Sequence, residues 1–326
     1  MITLFRFQKQ YIEQIINEFD QLSSKDYDVP MRPGIENKYD PETMSSVVDA
    51  SIPFRRLNMK LMWLARGTRE DILYPAVFFS RFANCYTPEL FEEMKMTVKY
   101  LRKTIDMVQT FIVNPNEEPR LHFVCDANFA TYANRKSCIG VFGFLNNCLI
   151  HASSTTTKTV LTSSTETESH AIFEAAKTAV YCKNWILQFR PCAMPVFIFN
   201  DNTSAIAIMS TRSNAGRAKH FDVRLRYVIE LIEAGILRIS YISSKNNVAD
   251  ILTHSCDKNK FKEKLILLKN RSSYCIIDTN NSGSHSGGDS KYDGSSYPYM
   301  SATVITGDET EKIVQFLNLI DINNNV

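Results

Sequence analysis

The sequence predicts an α/β protein, in which a mixed five-stranded sheet is flanked by helices and preceded by a small, mainly helical region. Two observations carry this prediction. Residues 119–268 alternate short apolar runs with longer amphipathic segments, in the order β-β-β-α-β-α-α-β-α. Residues 51–115 instead carry apolar residues at helical spacing.

The chain before residue 119 divides into three segments. Residues 1–22 begin with a short apolar run and continue as an amphipathic helix. Residues 23–50 are polar and rich in proline, which predicts an irregular linker. Residues 51–115 predict three packing helices: one capped by Ser51 and ended by Gly67, one over 70–84, and one capped by Thr87.

The strands and helices after residue 119 follow from local patterns. RLHFVCDA is a strand, and CIGVFGFLNNCLIHAS is a hairpin that turns at Asn146-Asn147. The segment from Thr159 is predicted to run from a strand into a long helix, with Ser163, Ser164 and Thr165 as candidate caps of that helix. PVFIFND and ILRISYIS are further strands, and NNVADILTH is predicted to begin the last helix. Residues 270–300 have the composition of a disordered linker, and residues 301–326 predict a short helical tail.

Composition restricts the function classes. The net charge of +2 over 326 residues excludes general electrostatic attraction to nucleic acid, so any such binding must come from local patches. One basic patch spans residues 212–226. We expect a soluble chain without a signal peptide, because no apolar run approaches the roughly 18 residues of a membrane span. The eight cysteines form no C-x-x-C pair and no zinc-spaced Cys/His cluster, which predicts buried free thiols.

Four carboxylates stand where a site is expected. Asp126 and Asp201 end apolar strands, Glu168 lies near the start of the long helix, and Asp250 lies in the first turn of the last helix. A carboxylate in such surroundings is costly unless it is paired or binds metal. A cluster of four suits two Mg²⁺ ions, with Mn²⁺ as a substitute. Each acid could alternatively be a turn former or cap, and Glu166 competes with Glu168.

Four segments resemble the ribonuclease H domain of Ty1/copia retrotransposon Pol polyproteins. They are SSTETESHAIFEAAK, NDNTSAIAI, AKHFDVRLRYVIE and YISSKNNVADILTH, similar to the family's SSTEAEY, CDNQSAI, KHIDIR and ADILTK motifs. The resemblance implies a ribonuclease H-like sheet over 119–268, with Asp126, Glu168, Asp201 and Asp250 as catalytic metal ligands. Residues 1–22 and 51–115 resemble the reverse transcriptase segment that follows the polymerase palm.

The sequence also departs from the family pattern. ANFATY follows Asp126, where a Trp and a second Asp are usual, and Asn200 stands where Cys is usual. The family's late TKP becomes Thr253-His254-Ser255. No Y-x-D-D motif occurs, so no intact reverse transcriptase active site is expected. None of these changes removes a carboxylate.

Basic residues near the motifs are candidates for nucleic-acid contact. Arg217, Lys219 and His220 precede or begin a helix, and Lys158 follows a run of threonines. The functional interpretation is phosphate contact that positions a hybrid. The alternative is a solvated face for the basic side chains, and a packing or capping role for His220. His254, four residues after Asp250, is expected at the surface.

The resemblance implies hydrolysis of the RNA strand of an RNA–DNA hybrid, with no small-molecule cofactor and no membrane. Expected partners are the hybrid and the remainder of a Pol polyprotein or reverse transcriptase. The expected location is the element particle in the cytoplasm, with the nucleus as a second location. The alternative function is an inactive or domesticated fragment that binds nucleic acid or a partner protein.

Overall fold

The computed structural model describes residues 2–20, 26–114, 116–146, 148–191, 195–211 and 219–269. The predicted linker and tail over 270–326 lie outside the described residues. Among the described helices, none is long and apolar enough to cross a membrane.

The described residues before residue 119 form four α-helices and a two-stranded sheet. The helices are α1 (Lys9–Phe19), α2 (Phe54–Gly67), α3 (Leu73–Ser80) and α4 (Pro88–Lys103). The apolar run before α1 forms β1 (Ile2–Arg6), which pairs antiparallel with β2 (Gln109–Val113). Neither strand was expected, because each is only five residues long and gains its backbone partners from a segment about 100 residues away.

Helix starts agree only partly with the predictions. Thr87 caps α4 as expected, since its Oγ1 accepts a hydrogen bond from the Leu90 N–H at 3.3 Å. Ser51 does not cap α2: the helix follows Pro53 without a side-chain cap, and the Ser51 hydroxyl donates to Asp49 instead. The second helix is shorter than predicted, because a 3₁₀ turn over Glu70–Ile72 precedes α3.

The predicted mixed five-stranded sheet is confirmed. Its strands are β3 (Leu121–Asn128), β4 (Cys138–Leu145), β5 (Cys148–Thr156), β6 (Val196–Asn200) and β7 (Leu237–Tyr241). Their order across the sheet is β5-β4-β3-β6-β7. The β3–β4 and β4–β5 pairs are antiparallel, whereas β3–β6 and β6–β7 are parallel. β3 is therefore the central strand of the sheet, and its residues from Leu121 to Asp126 are buried.

The helices after β5 follow the predicted order with two corrections. They are α5 (Ser164–Ile186), α6 (Thr203–Ser210), α7 (Lys219–Glu233) and α8 (Lys258–Lys269). Residues 157–163 form no strand before α5, because their backbone leaves the sheet after Thr156. The segment predicted to begin the last helix is a separate 3₁₀ helix, Val248–Leu252, and α8 starts six residues later.

The two faces of the sheet are covered by different parts of the chain. On one face, Ala171, Ala175 and Ala179 of α5 pack against β3, β4 and β6, where small side chains allow the helix to lie close to the sheet. On the other face, Val124 and Phe142 pack in one core with α8, the 3₁₀ helix and the helices before residue 119. The N-terminal helices therefore complete the core of the sheet.

The segment after α1 joins this shared core although its backbone is irregular. A 3₁₀ turn over Ile35–Asn37 is its only regular element among the described residues 26–50. Met31 and Ile35 are nevertheless buried in the same core as Val124.

Tyr100 of α4 meets Phe261 of α8 edge-on, with ring centroids 5.8 Å apart. Aromatic pairs of this kind stabilise by about 1 kcal/mol beyond their burial.

Candidate metal centre

The sheet topology brings the first and third predicted carboxylates to one edge. Asp126 lies in β3, and Asp201 directly follows β6. Because β3 and β6 are parallel neighbours, their carboxyl ends lie at the same edge of the sheet. Such edges are the usual location of sites in α/β proteins.

The capping of α5 distinguishes Glu168 from Glu166. Ser163 Oγ accepts the Glu166 N–H at 3.1 Å, as predicted for this helix start. The Glu166 carboxylate turns back and accepts the Thr162 N–H and hydroxyl at 2.8 and 2.7 Å. Glu166 therefore serves the helix N-terminus. Glu168, two residues further along the helix, is buried and points to the sheet edge.

Three of the four predicted carboxylates form one cluster. Asp126, Glu168 and Asp201 each offer a carboxylate oxygen, and these three oxygens lie within 4.8 Å of one another. Asp126 and Glu168 are each only 8% exposed, and Asp201 is half-buried. Oxygen ligands from several carboxylates at one crevice match the preference of Mg²⁺ and Mn²⁺.

The raised pKa values of the buried carboxylates in this cluster favour the binding of a cation. Burial, followed by the charge of Asp250, raises the pKa of Asp126 to about 7. Burial, followed by the charge of Asp126, raises the pKa of Glu168 to about 9. Carboxylates held together in this way resist ionisation unless a cation is bound. The donor set and its charge therefore fit a divalent cation.

Neutral side chains fix the orientation of two of the carboxylates. Asn200 Nδ2 donates to Glu168 Oε2 at 2.8 Å. Asn247 Nδ2 and Thr253 Oγ1 donate to the two oxygens of Asp126, at 3.2 and 2.6 Å. Sequence reasoning noted Asn200 and Thr253 only as departures from the family pattern and did not identify these roles. The sequence gives one indication of these roles: Asn200 directly precedes Asp201, and Asn247 and Thr253 lie on either side of Asp250.

Asp250 lies beside the cluster but outside this group of three. It belongs to the 3₁₀ helix and not to the first turn of the last α-helix, as the sequence predicted. The helix approaches the sheet closely at Gly140, which pairs with Asp126 in register. A Cβ atom at Gly140 would lie 2.6 Å from Leu252 Cβ and 2.9 Å from the Ala249 oxygen. Glycine at this position is thus required for Asp250 to approach Asp126.

The carboxylate of Asp250 forms an ion pair with Lys260. Lys260 Nζ lies 2.9 and 3.1 Å from the two Asp250 oxygens. His254, expected at the surface, is instead half-buried, and its Nε2 lies 3.8 Å from Asp250. Asp250, His254 and Cys256 form a second group of potential metal ligands. The sequence predicted one cluster of four acids, and the structure has two adjoining groups.

The candidates for nucleic-acid contact are described only in part. Lys158 is exposed in the loop after β5. Lys219 and His220 begin α7, but their side chains lie outside the described residues, as does all of Arg217. Their proposed contacts stay predictions.

Comparison with known proteins identifies the relatives of the chain. It is 28% identical over 263 residues to the retrovirus-related Pol polyprotein from transposon TNT 1-94 of Nicotiana tabacum, an alignment covering 79% of this chain and 20% of that protein. It is 26% identical over 210 residues to a Ty1 Gag-Pol polyprotein of Saccharomyces cerevisiae, covering 64% of this chain and 11% of that protein. The homologues of this chain are Ty1/copia-type Pol polyproteins. The resemblance inferred from the motifs is therefore confirmed.

The alignments cover only a small part of each relative's length. The chain spans about a fifth or less of the length of the curated relatives described above. No protein-family model matches. Among solved structures, an RNase H1 isolated from compost aligns with 45% of this chain and 98% of its own, at 16% identity and a TM-score of 0.33. The same enzyme in complex with an RNA/DNA hybrid aligns with 41% of this chain and 94% of its own, at 14% identity and a TM-score of 0.31.

Proposed function

We propose that the chain is a ribonuclease H that hydrolyses the RNA strand of RNA–DNA hybrids with two divalent metal ions. The observation that carries the proposal is the meeting of Asp126, Glu168 and Asp201 at one sheet edge. The Pol polyprotein relatives support the same activity. Asp250 is proposed as the fourth ligand, because it adjoins Asp126 closely enough to raise its pKa.

The protein's own groups would prepare the site for this reaction. Asn247 and Thr253 hold both oxygens of Asp126, so its lone pairs face one direction. Asn200 holds one oxygen of Glu168 in the same way. When bound, two divalent ions supply a lowered pKa for the attacking water and charge neutralisation at the leaving oxygen. Preorganised ligands of this kind cost no rearrangement during the reaction.

Substrate recognition is proposed to use shape, phosphates and the 2′-hydroxyl of the RNA strand. Lys158 and the basic residues Arg217, Lys219 and His220 would contact phosphates. The remainder of a Pol polyprotein is proposed as the protein partner, because the relatives are much longer than this chain.

The test is cleavage of a labelled hybrid with and without Mg²⁺. Wild-type protein should cut the RNA strand only when Mg²⁺ or Mn²⁺ is present, and Asp201→Asn should lower the rate at least about 100-fold. Asp106→Asn is the matched control, because the Asp106 side chain is 79% exposed and pairs with the exposed Lys9. An unchanged rate in Asp201→Asn, or cutting in excess chelator, would refute the proposal.

A second function is favoured by one observation. Lys260 neutralises Asp250, which leaves this carboxylate less available to a metal ion. A neutralised carboxylate at this position is what we would expect in a chain that binds hybrids without cutting them. Hybrid binding that persists in chelator, with no cleavage at any Mg²⁺ concentration, would support this alternative.

A further inference from the structure

The group formed by Asp250, His254 and Cys256 has a different chemistry from the carboxylate cluster. His254 Nε2 lies 3.8 Å from Asp250 Oδ1, and Cys256 Sγ lies 3.9 Å from Oδ2 of the same carboxylate. The third separation, from Cys256 Sγ to His254 Nε2, is also 3.8 Å. An oxygen, a nitrogen and a sulfur therefore converge on one small space.

These separations are close to those of a tetrahedral metal site. With zinc bonds of roughly 2.0–2.3 Å, two ligand atoms of the same ion lie about 3.3–3.6 Å apart. His254 Nε2 and Cys256 Sγ must therefore approach each other by only a few tenths of an ångström, and one Asp250 oxygen lies within 4.8 Å of both. Thiolate and imidazole ligands select Zn²⁺ over Mg²⁺, which prefers an all-oxygen set. We propose that Asp250, His254 and Cys256 form a site for zinc or a similar soft divalent ion, distinct from the cluster of Asp126, Glu168 and Asp201 but sharing Asp250 with the proposed two-metal centre.

Hydrogen bonding around His254 presents the correct nitrogen to this site. Thr253 Oγ1 lies 2.6 Å from Asp126 Oδ2, to which it donates its single proton. It can then only accept from His254 Nδ1, which lies 3.2 Å away. Lys260 Nζ, a donor without lone pairs, lies 3.2 Å from Nε2. Both neighbours assign the proton to Nδ1 and leave the Nε2 lone pair facing Asp250 and Cys256.

Lys260 supplies the positive charge that faces Asp250 and His254. Its ammonium contacts both oxygens of Asp250 and the Nε2 of His254. Its side chain is 40% exposed, so the ammonium can swing into solvent when a metal ion enters. A divalent ion and the ammonium compete for the same lone pairs. Removing the ammonium should therefore strengthen metal binding.

The loop that carries the ligands is fixed from outside. The Glu36 carboxylate accepts the Ser255 hydroxyl at 2.8 Å and also the Ser255 N–H, and Tyr74 donates to Glu36 at 2.9 Å. Ser255 lies between His254 and Cys256, so this buried anchor holds both ligands in place. A prearranged loop lowers the entropy cost of metal binding.

The sequence pattern did not predict the site formed by Asp250, His254 and Cys256. The ligands have the spacing D-x3-H-x-C, which holds one cysteine and one histidine and so matches no zinc pattern made of cysteines and histidines alone. The carboxylate had already been assigned to the other cluster. Only the turn between the 3₁₀ helix and α8 brings the three together.

The experiment is a Co²⁺ titration of the reduced, metal-free full chain, followed at a thiolate-to-cobalt absorption that sites made only of oxygen ligands do not give. Wild-type protein should bind one Co²⁺ per chain with a thiolate-to-cobalt charge-transfer absorption, which Zn²⁺ abolishes. Cys256→Ser should remove this absorption, and Cys182→Ser, a half-buried cysteine on α5, should keep it. A wild-type chain without the absorption, or a Cys256→Ser variant that retains it, overturns the proposal.

Two further variants keep the test decisive. His254→Gln should weaken Co²⁺ binding at least about tenfold through loss of one ligand, and it decides the case if circular dichroism shows that Cys256→Ser is unfolded. Lys260→Met should tighten Co²⁺ binding at least about tenfold, since a competing unit charge is removed. Lys262→Met, an exposed lysine on the same helix, is the matched control. Equal affinities for Lys260→Met and Lys262→Met would refute the competition.

A consequence for catalysis rests on the proposed function. Zinc bound to Asp250 would withdraw it from Asp126 and inhibit hybrid cleavage in wild type but not in Cys256→Ser. If wild-type protein does not cut hybrids in Mg²⁺, the proposed nuclease fails, while the cobalt spectrum still decides the soft-metal site.

Discussion

The two adjoining groups at the sheet edge show opposite solutions to the burial of carboxylates. Asp126, Glu168 and Asp201 lie together at one sheet edge, and burial raises the pKa of Asp126 and Glu168. Asp250, a few residues from α8, is instead paired with Lys260. Burial alone would lower the pKa of Lys260, but the hydrogen bond and charge of Asp250 outweigh it and raise this pKa. Lys260 therefore distinguishes the two groups, because it neutralises Asp250 while the pKa values of Asp126 and Glu168 are raised.

Asn247 connects the two groups, and its removal should have the largest effect. Its Nδ2 donates to Asp126 and to the Cys125 oxygen, and its Oδ1 accepts the Ala249 N–H at the start of the 3₁₀ helix. Asn247→Ala should lower the free energy of unfolding by about 4 kcal/mol, from lost buried hydrogen bonds and a lost cap. Urea unfolding measures this, with Asn259→Ala, an exposed residue of α8, as the control. A loss below about 1 kcal/mol would mean that the two groups are held independently.

His122 tests the cost of burying a titratable group away from both clusters. It stacks on Phe144 in the sheet, and burial lowers its pKa to about 4. The unfolded chain takes up this proton near pH 6.5, so stability is retained above pH 6.5 and lost as the pH falls towards 4. The loss from this group should approach about 3 kcal/mol. In His122→Phe, the stability should fall less steeply over this pH range, as measured by urea unfolding at several pH values.

The same experiment contains its own check. Carboxylates titrate in both proteins, so the difference between their slopes isolates His122. Parallel pH profiles would contradict the prediction.

Gly140 sharpens the comparison by controlling how closely the two groups approach. Gly140→Ala places a Cβ against Leu252 and the Ala249 oxygen, so the 3₁₀ helix must shift away from β4. We expect a loss of about 2 kcal/mol in stability, typical of overpacking. Thermal unfolding measures the loss. The double variant with Leu252→Gly, which removes the Leu252 Cβ, should lose less than the two single variants added together; strict additivity would indicate no clash.

Metal binding to the carboxylate cluster should give the smallest change in stability. At a Mg²⁺ concentration ten times its Kd, binding should stabilise the native state by about 1.4 kcal/mol. Glu168→Gln should reduce this stabilisation, and Glu166→Gln, which alters the helix cap, should retain it. Calorimetric melting in Mg²⁺ and in chelator measures both. Equal stabilisation of the two variants would place the ion outside the cluster.

The sequence determined a large part of this protein by itself. Apolar runs and helical periodicity gave the five strands of the sheet and the order of its helices. Local capping patterns gave the starts of α4 and α5, because a cap involves residues within one turn. The carboxylates at the ends of strands gave two members of one cluster, Asp126 and Asp201, since parallel strands end at a common edge.

Only the tertiary structure decided how the fourth carboxylate is used. Thr253 and Asn247 reach Asp126 across more than 120 residues of sequence, and Gly140 admits the 3₁₀ helix to the sheet. Lys260 meets Asp250 only because the chain turns between the 3₁₀ helix and α8. No local pattern records these contacts, because the charge that neutralises a carboxylate depends on distance in space. Asp250 therefore looks like its three partners in the sequence and differs from them only in the folded chain.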